Sequence, residues 1–451
     1  MKCPRVLLLI LTSWLLAFTQ LVSSASILPP DFNAETKEDY LSKAARQLDL
    51  FALALGNKSP KPPDQLSSSE RTLKDGEIPQ YVVDHCPLLH LYSEETYLPG
   101  DIADFVKNVE IRNSNGDLLK EGPLDIEVDF AEFTGKISQE VYLTSLSDFD
   151  KDPPWILGHR PDYGTGFIAK APAILIVADK GNGWVDAFWF YFYPFNLGPF
   201  ITGIGPWGSH LGDWEHSLVR FLNGKPQYIW MSAHGGGSSY LYNAIEKKDH
   251  WKVVDGKIQK SVIKRPLIFS ARGTHANYAS MGQHAHDVPF FFSPLSDFTD
   301  RGPFWDPSMN FYGYTYNGTD VTPSSDRERK LGTDWLYYEG HWGDKQLPHS
   351  DPRQLWFLML WKYIDGPSGP LRKNLGRSIL CERSKWWNFW HGCSIRHTIK
   401  SGEGLDAERN DLVGDNCGVA LYKVRPKLLR SLLRIITWRG VFCFIMDYYT
   451  G

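Results

Sequence analysis

Along most of the chain, apolar residues come in short runs broken by Gly, Pro, Asn and Asp, not at the regular spacing of long helices. Val109 to Arg112 leads into Asn115-Gly116, and Ile174 to Val177 forms a β-branched run bounded by Pro172 and Asp179. Ala187 to Tyr193 is almost wholly aromatic, and Val253-Val254 precedes Asp255-Gly256. This rhythm predicts a mainly β fold, an antiparallel sandwich-like core, over residues 81–380. No repeat and no strand-helix alternation favours a doubly wound α/β fold. The sharpest local signal is Asn223-Gly224, which lies between the strand-forming runs Ser217 to Leu222 and Gln227 to Ser232 and suits the positive φ angles of a type I′ hairpin turn. With Leu222 facing Lys225, counting back puts Glu215 opposite Ser232 and Asp213 opposite His234 on one face of the ribbon. Pro226 cannot donate to that ladder, so it is the point at which a bulge would shift the register.

Helical spacing is confined to the ends. Tyr40, Leu41, Ala44, Leu48, Phe51 and Leu55 recur on one helical face and stop at Gly56. Residues 26–80 therefore read as a helix followed by a Pro- and Ser-rich linker. Near the other end, Leu428 to Tyr449 carries Leu428, Leu432 and Ile435 opposite Arg430 and Arg434, an amphipathic pattern with a possible peripheral membrane contact. Asp320 to Arg329 reads as a mobile surface loop. Leu355 to Ile364 is an apolar run for a buried strand or a short helix, and periodicity does not choose between them.

The first residues sharpen the compartment. Lys2 and Arg5 precede an apolar run from Val6 to Phe18 and the small residues Ser23-Ser24-Ala25, which predicts a signal peptide over 1–25 and a secretory route ending in the vacuole or outside the cell. The alternative is an uncleaved anchor. Two sequons, Asn57-Lys58-Ser59 and Asn317-Gly318-Thr319, fit a glycoprotein. Once Cys3 is removed, Cys86, Cys381, Cys393, Cys417 and Cys443 remain, and an oxidising compartment predicts at least one disulfide within the cysteine-containing extension, 381–451. A formal charge of -4 and a pI of about 6.4 leave no basic footprint for nucleic acid, so that class of partner is excluded.

Candidate chemistry gathers at the predicted hairpin. His210-x-x-Asp213-x-Glu215 supplies one imidazole and two carboxylates, a set suited to a hard or borderline divalent cation, and His234 joins them across the turn. These four form the predicted metal site, with calcium or magnesium favoured over zinc. The plainer alternative is that Asp213 and Glu215 cap loops and pair with nearby Arg or His. Further candidates are His216, His275, His284, His286 and Asp287; His284 and His286 are two apart, which on a strand puts both rings on one face. His234-Gly235-Gly236-Gly237 matches an oxyanion motif of some lipases, but the chain has no G-x-S-x-G nucleophile to go with it.

Several stretches together resemble the fungal vacuolar protein sorting-associated protein 62 family: GDWEHSLVRF (Gly212 to Phe221), SAHGGG (Ser232 to Gly237), RPLIFSARGTHANYASMG (Arg265 to Gly282), Trp305-Asp306-Pro307, HWGDKQ (His341 to Gln346) and GPSGPLRKNLGR (Gly366 to Arg377). The resemblance spans roughly Tyr81 to Cys381 and implies a link to vacuolar protein sorting without implying a reaction. Locally, His210-x-x-Asp213-Trp214-Glu215 is similar to the G-H-R-H-D-W-E motif of necrosis-inducing NPP1-like proteins. That likeness implies a β-sandwich with a divalent metal on His210, Asp213 and Glu215. Leu211-Gly212 departs from the motif, and the upstream Asp of that family has no counterpart. Two functions remain open: a secretory-pathway protein binding a metal together with a sugar or lipid head group, and a metal-dependent hydrolase with His216, His234 or His275 as general base.

Overall fold

The computed structural model describes residues 71–135, 140–200, 205–254, 257–285, 296–357, 360–382, 395–397 and 399. These belong to one compact unit, Lys61–Gly451. The predicted signal peptide, the helix at 40–55, the Asn57 sequon, His286, Asp287, Cys393, Cys417, Cys443 and the amphipathic stretch at 428–449 lie outside the described residues.

The fold is mainly β. In chain order, the strands are β1 (Leu88–His90), β2 (Val109–Asn113), β3 (Leu118–Lys120), β4 (Val141–Ser145), β5 (Ala173–Gly181), β6 (Trp184–Asn196) and β7 (His210–Leu222). There follow β8 (Lys225–Ala233), β9 (Gly236–Leu241), β10 (Lys247–Val254), β11 (Lys257–Ser270), β12 (Asn277–Tyr278), β13 (Gly282–Ala285) and β14 (Ser296–Thr299). The remainder are β15 (Phe304–Trp305), β16 (Phe311–Tyr316), β17 (Val321–Pro323), β18 (Trp356–Phe357), β19 (Leu360–Trp361) and β20 (Ile395–Arg396).

The organising layer is an eight-stranded sheet in the order β17-β16-β5-β6-β7-β8-β9-β20. Its middle strands are long and apolar at nearly every position, because alternate residues enter two separate cores. Ile174, Ile176, Phe188, Phe190, Trp214 and Leu218 join one core with Ile111 and Leu143 of the β3-β2-β4 sheet. Leu175, Val177, Trp189, Tyr191, Val219 and Phe221 join the other, with Leu89 of β1 and Ile268 of β11. A smaller sheet thus contributes to the cover on each face. The pairing is not purely antiparallel as expected: β5 with β16, β1 with β11 and β9 with β20 run parallel.

The hairpin forms where the sequence places it. Asn223 and Gly224 have φ angles of 50° and 73°, the positive values of a type I′ turn. The register beyond it differs from the simple count. Leu222 pairs with Lys225 and Phe221 with Pro226, but Arg220 then pairs with Tyr228, so a bulge at Gln227 shifts every later rung to the last, Ser217 with Met231. Glu215 opposite Ser232 and Asp213 opposite His234 are therefore corrected: proline removes the donor that the regular ladder needs.

Two further expectations change. Residues 320–329 form not a mobile loop but strand β17 and a short helix, Asp326–Leu331, whose first turn is capped by the Ser325 side chain accepting from the Arg327 N–H. The run from Leu355 is neither a buried strand nor a helix; Trp356–Phe357 and Leu360–Trp361 pair as the short strands β18 and β19, the first exposed and the second partly buried.

Candidate functional site

One end of β7 carries the predicted site. At Gly212 the backbone takes φ +62°, and a Cβ there would collide with the Trp342 carbonyl oxygen, so only glycine permits this bend. The bend brings the His210 Nδ1 to 2.7 Å from the Gly212 carbonyl oxygen. A carbonyl only accepts, so Nδ1 carries the hydrogen and Nε2 keeps the lone pair. Burial pushes the His210 pKa down against the raising charge of Asp213, which keeps the ring neutral near pH 7.

Asp213 and Glu215 meet different partners. The buried ring of His275 approaches Asp213 Oδ2 through Nδ1 at 2.9 Å and the Tyr97 carbonyl oxygen through Nε2 at 2.8 Å. It stacks flat on Tyr193, with centroids 3.7 Å apart. Burial alone would lower the His275 pKa, but the bond to Asp213 and the charges of Glu95 and Asp213 raise it above the usual value. Both nitrogens face acceptors, so the ring donates to Asp213 and to Tyr97 as an imidazolium, the form that its raised pKa favours. Glu215 accepts from the Ser232 hydroxyl, which itself accepts the His216 backbone N–H at 2.7 Å. Burial first, and the negative charge of Asp213 second, hold the Glu215 carboxyl well above the usual carboxylate range.

His234 lies in the β8-β9 turn at φ +54°, beyond the ladder, and still reaches the site. Its Nε2 is 2.6 Å from Asp297 Oδ2. Asp297 is buried and also accepts from the Thr274 hydroxyl at 2.7 Å and the Tyr278 hydroxyl at 2.6 Å. Burial opposes protonation of His234, but the charge and hydrogen bond of Asp297 raise its pKa overall.

His210, Asp213, Glu215 and His234 line one cavity of about 410 Å³, walled by Trp207, Trp214 and Trp361 and bounded by Lys373 and Glu382. Among the described residues, no three His, Cys, Asp or Glu side chains are already assembled as a metal cage. The other candidates lie elsewhere. His275 sits behind Asp213. His216 is fully buried between Phe190 and Trp230, 4.8 and 4.7 Å away, with neither ring nitrogen hydrogen-bonded. Burial and the charges of Arg377 and Lys373 push its pKa well down. Its Nε2 stands 3.8 Å from Glu382 Oε2 at the cavity edge. His284 stacks on Tyr278 and bonds the Ser280 carbonyl and the Thr299 hydroxyl, away from the cavity. Sequence reasoning assigned no role to Lys373, Glu382 or Tyr97, whose chain distance from β7 leaves no local pattern.

Fold and site together define a mainly β protein with an imidazole- and carboxyl-lined cavity at one end of its central sheet. The chain belongs to the vacuolar protein sorting-associated protein 62 family. It is 61% identical over 409 residues to the vacuolar protein sorting-associated protein 62 of Saccharomyces cerevisiae, covering 88% of each chain. It is also 60% identical over 395 residues to the putative vacuolar protein sorting-associated protein TDA6 of the same organism, covering 83% of this chain and 84% of that one. No protein-family model matches. Solved structures with some likeness include Necrosis and Ethylene inducing Protein 2 from the causal agent of cocoa's Witches Broom disease, 14% identical over 48% of this chain and 74% of that one at a TM-score of 0.21. The non-toxic HaNLP3 protein is 11% identical over 60% and 86%, at a TM-score of 0.24. TM-scores this low carry no structural argument. Among the described residues no helix is long and apolar enough to cross a membrane.

Proposed function

We propose that this family member is a ligand-binding protein of the secretory pathway whose cavity takes a divalent cation on His210, Asp213 and Glu215 and offers it to an oxygen-rich sugar or lipid head group. The observation that supports this most is the fixed tautomer of His210. With Nδ1 engaged by Gly212, Nε2 carries the lone pair beside two carboxyl groups on the same cavity. The donor set fits a hard cation, and oxygen donors outnumber nitrogen, which favours calcium or magnesium over zinc. Because the Glu215 pKa is raised, a cation competes there with a proton, and binding requires the three groups to draw together. Cleavage after Ala25, a glycan on Asn317 and a disulfide within Cys381, Cys393, Cys417 and Cys443 belong to the same reading; the intact mass of secreted protein before and after deglycosylation and reduction tests them. Elemental analysis of purified chain tests the cation directly. A stoichiometric divalent metal that disappears in an Asp213→Asn, Glu215→Gln double variant supports the site, and a metal content unchanged in that variant refutes it.

The His234–Asp297 pair on the cavity wall favours a second reading, a metal-dependent hydrolase with His234 as general base. Metal-stimulated cleavage of simple ester or phosphoester substrates that His234→Ala abolishes would select it; cation binding without turnover selects the first.

A further inference from the structure

Buried cations hold the segment from Pro370 to Leu380 in place. Arg377 donates from Nη1 to the Lys373 carbonyl at 2.6 Å and from Nε to the Leu380 carbonyl at 3.2 Å. From the central sheet, Arg220 and Lys180 reach the Ser378 and Leu375 carbonyls, both at 2.6 Å. Pro370–Lys373 forms a short 3₁₀ helix, and Asn374 ends it at φ +51°. The position of Lys373 is therefore set through its main chain, not through its ammonium. Its neighbour Arg372 turns to Glu339, 3.6 Å away. The Lys373 side chain lines the cavity, and among the described residues its ammonium has no hydrogen-bond or ion-pair partner. The other charges there are answered. Asp213 faces His275 at 2.9 Å and His234 faces Asp297 at 2.6 Å. Glu215 is held toward its neutral form by burial first and Asp213 second. Glu382 turns Oε2 to within 3.8 Å of His216 Nε2, and its charge also reaches Arg377: burial lowers that pKa to about 10, and Glu382 is the first charge to oppose it.

From this arrangement we infer that the ligand of the cavity is a phosphate ester and that Lys373 is the residue that selects it. The inference rests on the reading of the cavity as a cation-assisted ligand site. A cation held by one imidazole and two carboxylates keeps open positions toward the cavity, and magnesium commonly completes such a sphere with phosphate oxygens. A phosphate has oxygens enough to meet the cation and the Lys373 ammonium together, and lysine binds it as a compact point charge. A neutral ligand would cover that ammonium and strip its water without replacing it. The cavity, about 410 Å³, has room for more than the phosphate, and Trp207 and Trp361 give the organic part of the ester an apolar wall.

Titration calorimetry of the purified full chain in magnesium compares glucose 6-phosphate with glucose and with glucuronate. The phosphate ester is expected to bind about tenfold to a hundredfold tighter than glucose. Lys373→Gln is expected to erase that preference and leave magnesium binding in place, and Lys373→Arg to keep most of it. Both variants should unfold at the wild-type midpoint, because the bond that holds residue 373 uses its carbonyl. Vesicles of phosphatidylcholine with or without phosphatidic acid distinguish the source of the ester. Sedimentation that needs phosphatidic acid and is lost in Lys373→Gln makes it a lipid head group; a preference for glucose 6-phosphate without such sedimentation makes it a soluble ligand, and either supports the inference. Glucose or glucuronate binding as tightly as glucose 6-phosphate, a preference that survives in Lys373→Gln, or no binding in either arm overturns it. Magnesium titrated alone tells the two readings apart. Cation binding without a phosphate preference sinks only this inference, and a Lys373-dependent phosphate preference without cation binding sinks only the cation.

Discussion

Two buried charge clusters stand on the same pair of strands and differ in whether the protein closes them. On the Asp186–Arg220 rung of β6-β7, the guanidinium donates from Nε and Nη2 to the two oxygens of Asp186, both at 2.7 Å, and from Nη1 to the Ser378 carbonyl at 2.6 Å. Lys180 stands 3.8 Å from Asp186 and donates to the Leu375 carbonyl at 2.6 Å. Protein groups meet the charges there, and the segment near 375–378 is clamped onto the sheet. At the other end of the ladder, His275 meets Asp213 but not Glu215, and burial with the charge of Asp213 holds the Glu215 carboxyl well above the usual carboxylate range. The first cluster is closed by protein groups; the second, on the reading proposed above, takes an external cation.

The comparison breaks most visibly at the scaffold end. Arg220→Ala leaves Asp186 buried without its bidentate partner, and urea unfolding is expected to show a loss of about 3–5 kcal/mol. At the site end, His210→Ala or Asp213→Asn is expected to weaken cation affinity by about tenfold to a hundredfold. Stability should change less, and titration calorimetry beside unfolding measures both. Ser232→Ala removes the donor to Glu215 and is expected to cost about 1 kcal/mol by the same unfolding assay.

The smallest effect is one of slope, and it has opposite signs at the two ends. Glu215 has a raised folded pKa, so its favourable contribution is complete below the ordinary carboxylate range and is lost as pH rises through the folded value. His275 and His234 are raised as well, so theirs is complete below about 6.5 and lost above it. Burial lowers Lys180 to about 8, against the raising charge of Asp186, so the unfolded chain holds that proton more tightly and stability rises with pH from about 8 toward the unfolded lysine value. Unfolding midpoints across pH are expected to fall and then gain this rising contribution. Glu215→Gln should flatten the first limb and leave the second; a variant curve parallel to wild type throughout contradicts the assignment.

Much of this was legible in the residues. The short apolar runs announced strands, Asn223-Gly224 fixed the hairpin turn, and His210, Asp213, Glu215 and His234 do share a cavity. The route to that cavity was not legible, because the ladder slips at Pro226 and His234 arrives from a turn. His275 was visible as a histidine, but its role depends on a carbonyl at Tyr97, far away in sequence. Leu355–Phe357 misled because apolar composition reports what avoids water, not whether the chain itself supplies the cover.

The central claim is that a divalent cation competes with a proton for Glu215. Calorimetric titration of calcium and of magnesium into the purified chain near pH 7, in two buffers of different ionisation enthalpy, measures binding and proton release together. The account predicts one saturable site releasing about one proton, with both signals lost in Asp213→Asn, Glu215→Gln. Absence of binding, or binding with no proton released, would contradict it.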